Sequence, residues 1–123
     1  MGLGYEINRA EKLVLTICSG LVTELEIRQH DEALKSDPDF SSDFNQIIDM
    51  RQITEFPLSV DEIQKVAAYE TMFKAESRRA IVAQNDLLFG LSRMYEAFHQ
   101  HSDLGNLRVF RDFAEAKSWA LSR

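Results

Sequence analysis

Gln46-Ile47-Ile48-Asp49-Met50 is a short, nearly continuous apolar run, the pattern of a strand buried on both faces of a parallel sheet. Arg79-Ala80-Ile81-Val82-Ala83 has the same form. Between the two, Ser59-Val60-Asp61-Glu62 spells a capping box, in which a Ser hydroxyl and a Glu carboxylate three residues on satisfy each other's backbone N–H groups. Leu58 and Ile63 flank it as a hydrophobic staple, and Ile63, Val66, Ala67 and Phe73 continue as a helical stripe. A buried strand, an amphipathic helix and a second buried strand are the parts of a parallel crossover unit, which selects an α/β fold.

Working outward, Tyr5–Arg9 and Lys12–Cys18 are β-prone segments joined through Ala10-Glu11, as in an antiparallel hairpin. Thr23 and Glu26 form another capping box, stapled by Val22 and Ile27, and open a helix that runs to about Lys35. The polar stretch from Ser36 to Phe44 is read as a loop tethered by Phe40 and Phe44. On the other side, Asn85 or Asp86 caps a helix that runs to about Gln100 with Leu87, Leu91, Met94, Tyr95 and Phe98 on one face. Leu107–Arg111 is a further strand, and Asp112 caps a last helix. The expected order is β-β-α-β-α-β-α-β-α, a mixed, mainly parallel sheet with packed helices in one domain spanning residues 1–123.

The composition suits such a domain: 123 residues, 45% hydrophobic and 28% charged, are enough for one real core. A net charge of −6 supplies no field for binding phosphates, so nucleic acid is not expected as a partner. The lone Cys18 sits in an apolar segment as a small hydrophobe, and no stretch resembles a signal peptide or a membrane span, which together suggest the cytoplasm.

Asp49 stands at the expected carboxyl end of its strand, where open α/β sheets bind ligands; its plainer reading is a pair with Arg51 or with backbone N–H groups. Ser59 begins a helix and offers a hydroxyl to a kinase or a phosphate, or serves simply as the cap. The turn before Leu87, with Phe89, Gly90, Arg93 and Tyr95 beyond it, is a candidate ligand surface, read otherwise as a cap and close packing. His99 and His101 lie at an expected helix end and His30 on the stripe of Ile27 and Leu34. Without paired cysteines, an HExxH motif, a phosphate loop or a nucleophile elbow, no metal site, cofactor or catalytic set is expected.

Several stretches resemble the SpoIIAA-like family of small bacterial proteins, grouped with STAS and CRAL-TRIO domains: Ser36-Asp37-Pro38-Asp39-Phe40, Phe44 to Arg51, Arg79 to Ala83, Phe89 to Glu96, and Val109-Phe110-Arg111-Asp112 before Trp119. The resemblance implies a small mixed sheet with helices against it and no known catalytic residues. It also implies a phosphorylatable serine at the helix after the central strand, for which Ser59 is the positional match, and, from the CRAL-TRIO side, lipid-like ligands.

Three functions are therefore expected in turn. The first is a non-enzymatic regulatory or protein-interaction module working around Ser59 and Asp49, with a homo-oligomer, a dimer foremost, as its assembly. The second is a carrier or sensor of a small apolar or anionic ligand near Phe89, Gly90, Arg93 and Tyr95. The third is an enzyme using Asp49 with Arg51 or a histidine.

Overall fold

The computed structural model describes residues 2–69, 72–100 and 106–122. The elements run β1 Leu3–Asn8, β2 Leu13–Leu21, α1 Glu24–Lys35, β3 Asn45–Glu55, α2 Val60–Tyr69, β4 Arg78–Val82, α3 Asp86–Gln100, β5 Asn106–Phe110 and α4 Phe113–Leu121. One five-stranded sheet holds them in the order β1-β2-β3-β4-β5, with β1 antiparallel to β2 and every later pair parallel. The mixed, mainly parallel sheet expected from the sequence is thus the one found.

Local chemistry starts each element. The hairpin turns where Asn8 Oδ1 accepts the Glu11 N–H at 3.0 Å, with Lys12 in the left-handed region at φ 53°. Thr23 Oγ1 accepts the Glu26 N–H at 3.3 Å, while the Glu26 carboxylate takes the Gly2 N–H at 2.5 Å and ties the entry to β1 to α1. Gly2 is suited to this close approach, because a Cβ there would run into the Leu21 carbonyl oxygen. In the Ser59 box the exchange is reciprocal, at 3.2 Å from Glu62 N to Ser59 Oγ and 3.0 Å from Ser59 N to Glu62 Oε1. Asn85, rather than Asp86, caps α3 by accepting the Leu88 N–H at 2.8 Å, and Asp112 caps α4 through the Glu115 N–H at 2.9 Å.

The three parallel crossovers place α1, α2 and α3 on one face of the sheet, where Ile27, Ile63, Val66, Leu88 and Tyr95 pack with Cys18, Met50 and Ile81. α4 covers the other face, setting Ala116 and Ala120 on Leu13, Ile47, Ala80 and Val82. Phe40 and Phe44 hold their loop to a smaller cluster around Val14 and Leu34. Residues of β3 alternate accordingly: Gln46, Ile48 and Met50 lie under the three helices, and Ile47 and Asp49 under α4.

Three expectations need correction. β3 continues to Glu55, so Asp49 lies in mid-strand and not at its carboxyl end. Phe73 lies beyond α2; it meets Phe40 edge-on at 5.3 Å and takes the Arg79 guanidinium over its ring at 5.1 Å. Leu87 is 72% exposed, so it is not part of the buried face of α3.

Candidate functional site

A cavity of about 90 Å³ lies between the sheet and its three-helix layer. Ile27 of α1, Leu58 before α2, Val66 of α2 and Leu91 and Tyr95 of α3 wall it, and Cys18, Ile48 and Ile81 form part of its floor. These are the side chains that three amphipathic helices and three alternating strands must turn inward. A polar corner interrupts the apolar lining, made by Thr16, Gln46, His30 and Asp31.

Register builds that corner. Gln46 on β3 is opposite Val14 on β2 and Arg79 on β4, and Thr16 is two residues along from Val14 on the same face. Arg79 Nε donates to Gln46 Oε1 at 3.0 Å, and Gln46 Nε2 donates to Thr16 Oγ1 at 2.9 Å. Thr16 Oγ1 is 3.0 Å from His30 Nε2, and His30 Nδ1 is 2.9 Å from Asp31 Oδ1. A carboxylate only accepts, so Nδ1 carries the imidazole proton; in the neutral ring Nε2 then accepts the Thr16 hydroxyl. With the ring neutral, every bond from Arg79 to Asp31 points the same way, an arrangement in which each bond polarises the next. All five side chains belong to buried residues, and Tyr5 sets its ring edge-on to His30 at 5.5 Å.

Asp31 Oδ2 is buried with no hydrogen-bond partner. A carboxylate oxygen in that condition is expensive to keep, since it has lost water and gained nothing in exchange.

The residues singled out from the sequence are distributed differently. Asp49 and Arg51 do come together, but on the α4 face: Arg51 Nε and Nη2 reach the two carboxylate oxygens at 2.9 and 2.8 Å, and its backbone N–H adds a bond at 3.1 Å. The Arg51 guanidinium also lies 4.7 Å over the Phe113 ring. Burial pushes the Asp49 carboxyl up, yet the Arg51 hydrogen bonds and charge outweigh it and hold the group below the usual carboxylate range. Ser59 is exposed and engaged in its capping box, whose hydrogen bonds from Ser59 hold the Glu62 carboxyl low. Phe89 lies under the Arg111 guanidinium at 4.2 Å, Gly90 borders open space, and Arg93 pairs with Glu96 at 3.0 Å on the surface. Of the candidate surface residues, Tyr95 alone lines the cavity.

His30 was visible in the sequence as an inward-facing residue, but Asp31, Thr16 and Gln46 gave no signal of their own. No group of three His, Cys, Asp or Glu able to hold a metal ion occurs among the described residues; His101 and the side chain of His99 lie outside them. Among the described residues no helix is long and apolar enough to cross a membrane.

The chain matches no family model and no curated protein sequence. It is similar in structure to an uncharacterised protein of the DUF3478 family with a SpoIIAA-like fold from Shewanella loihica PV-4, at 21% identity and a TM-score of 0.66, over 97% of this chain and 94% of that one. Sheet order, helix placement and this likeness agree: the chain has a SpoIIAA-like fold.

Proposed function

We infer that this chain is a non-enzymatic cytoplasmic module that carries or senses a small, largely apolar ligand held between its helices and its sheet. The observation that supports this reading is the cavity itself, apolar on its walls, polar at one corner and centred under all three crossover helices. Its volume, about 90 Å³, suits a compact ligand of a few carbon atoms or the end of a longer chain. The site differs from the surface first expected, because Tyr95 belongs to it while Phe89, Gly90 and Arg93 do not line it.

Native mass spectrometry of the protein purified without denaturant, followed by denaturing mass spectrometry of the same sample, tests this reading. An added mass that disappears on denaturation is the expected result. A bare chain that also fails to take up small apolar probes would overturn it.

A second reading, a regulatory or protein-interaction module, is favoured by one other observation. Leu21, Leu25 and Val60 are 47%, 63% and 51% exposed where β2 and β3 end and α1 and α2 begin, next to Ser59. On this reading the surface pairs with a second copy of the chain or with another protein, and Ser59 is the residue a kinase would modify.

A further inference from the structure

Within the cavity, the ligand's polar end has a chemical requirement that the side chains themselves set. Three of the polar side chains at the corner, Gln46, Thr16 and His30, are engaged in one hydrogen-bond chain that starts from the Arg79 guanidinium. The His30 Nδ1 proton is taken by Asp31 Oδ1. Among the described residues, the buried side-chain polar atom left without a partner is Asp31 Oδ2, on a residue 7% exposed that lines the cavity. An ionised carboxylate offers lone pairs and no proton, so the unfilled position at this corner accepts and does not donate.

We propose that the ligand carries one hydrogen-bond donor, a hydroxyl or an ammonium group, on a compact apolar body, and that Asp31 Oδ2 receives that donor. This rests on the ligand-binding reading above and narrows it. The apolar body meets Ile27, Val66, Leu91 and Ile81, and the donor completes the unsatisfied Asp31 oxygen. Ligands whose polar end only accepts, such as a ketone or a carboxylate, face Oδ2 lone pair to lone pair and are rejected, in the way that a site built for one polar partner rejects the analogue lacking it. Hydroxyl and ammonium share the required proton and differ in the charge brought to a buried carboxylate.

Four probes of one shape separate the possibilities: cyclopentanol, cyclopentylamine, cyclopentanone and cyclopentane, titrated into the full chain and followed by methyl resonances of the cavity's Ile, Leu and Val side chains. Cyclopentanol or cyclopentylamine is expected to bind at least roughly tenfold more tightly than cyclopentanone and cyclopentane. Whichever of the two leads identifies the donor as neutral or charged. In Asp31→Asn the carboxamide keeps an oxygen for His30 and puts an N–H₂ in the place of Oδ2, so the ranking is expected to invert, with cyclopentanone gaining and both donors losing.

Equal binding of all four probes would overturn the donor assignment and leave the cavity as a ligand site. Binding of none would overturn both. Should Asp31→Asn fail to fold by circular dichroism, the ranking on the unaltered chain decides alone, since equal affinities there already defeat the assignment.

Discussion

His30 Nδ1 lies 2.9 Å from Asp31 Oδ1 although the two residues are consecutive on α1. Neighbours on a helix project about 100° apart, so the imidazole must turn back along the helix surface to meet the carboxylate. That turn fixes which nitrogen carries the proton and so presents Nε2 to Thr16 on the sheet. A helix and a strand are thereby locked through one ring.

The first prediction concerns that lock. Thr16→Val keeps the shape and removes the hydroxyl, leaving Gln46 Nε2 and His30 Nε2 without their mutual partner in a buried site. A loss of about 1–3 kcal/mol is expected in urea denaturation. An unchanged midpoint would mean that the hydrogen-bond chain does not contribute to stability.

Filling the cavity should separate binding from folding. Val66→Phe on α2 places a ring among the lining side chains, at an overpacking cost of about 1–3 kcal/mol. The expected outcome is a folded protein by circular dichroism from which any native-state added mass has gone. Retention of that mass would place the ligand elsewhere.

Asp49 gives the protein a predictable acid response. Its folded-state carboxyl is held below the ordinary range, so its contribution is complete above the unfolded value near pH ~3.9 and is lost as pH falls through the lower folded value. The stability gap between the natural chain and Asp49→Asn is therefore expected to be open at pH 7 and to narrow in strong acid. Arg51→Ala, which leaves the carboxylate buried and without its guanidinium, should cost about 1–3 kcal/mol at pH 7. Urea midpoints at a series of pH values measure both.

Ser59→Ala removes an exposed cap and should lower stability by about 1 kcal/mol. Glu62 is held low by the same box, so its share, like that of Asp49, is present above the ordinary carboxylate range and fades as acid reaches the folded value. A protein that keeps its stability but loses concentration-dependent association or a protein partner would assign Ser59 to the interaction surface instead.

Leu25→Lys combined with Val60→Lys puts charge on two exposed apolar positions without entering the core. If this end of the sheet pairs with a second copy, sedimentation velocity at rising concentration will show the variant as the smaller species. Identical profiles would remove Leu25 and Val60 from any such contact.

Capping boxes, staples and buried runs made the element order legible, because each depends on residues within a few positions of one another. The end of β3 was not, for a reason visible in its pairing. Its register with β4 stops at Asp49↔Val82, while that with β2 continues to Leu21↔Glu55, so the last part of β3 is half exposed and loses the apolar signature. The polar corner was hidden for a different reason. Thr16, His30, Gln46 and Arg79 lie on four elements, and strand register together with the pitch of α1 brings them to one point. Each residue taken singly reads as an ordinary polar interruption of an apolar pattern.

Spatial order in the sheet is also chain order, with each strand bonded to the one before it and the one after. Each parallel strand therefore pairs with the strand before it in the chain, across a crossover that carries one helix. α4 closes the second face over Leu13, Ile47, Ala80 and Val82. Until it docks, that face of the sheet stays open to water, so the sheet and its three crossover helices bury one side of the core and α4 the other.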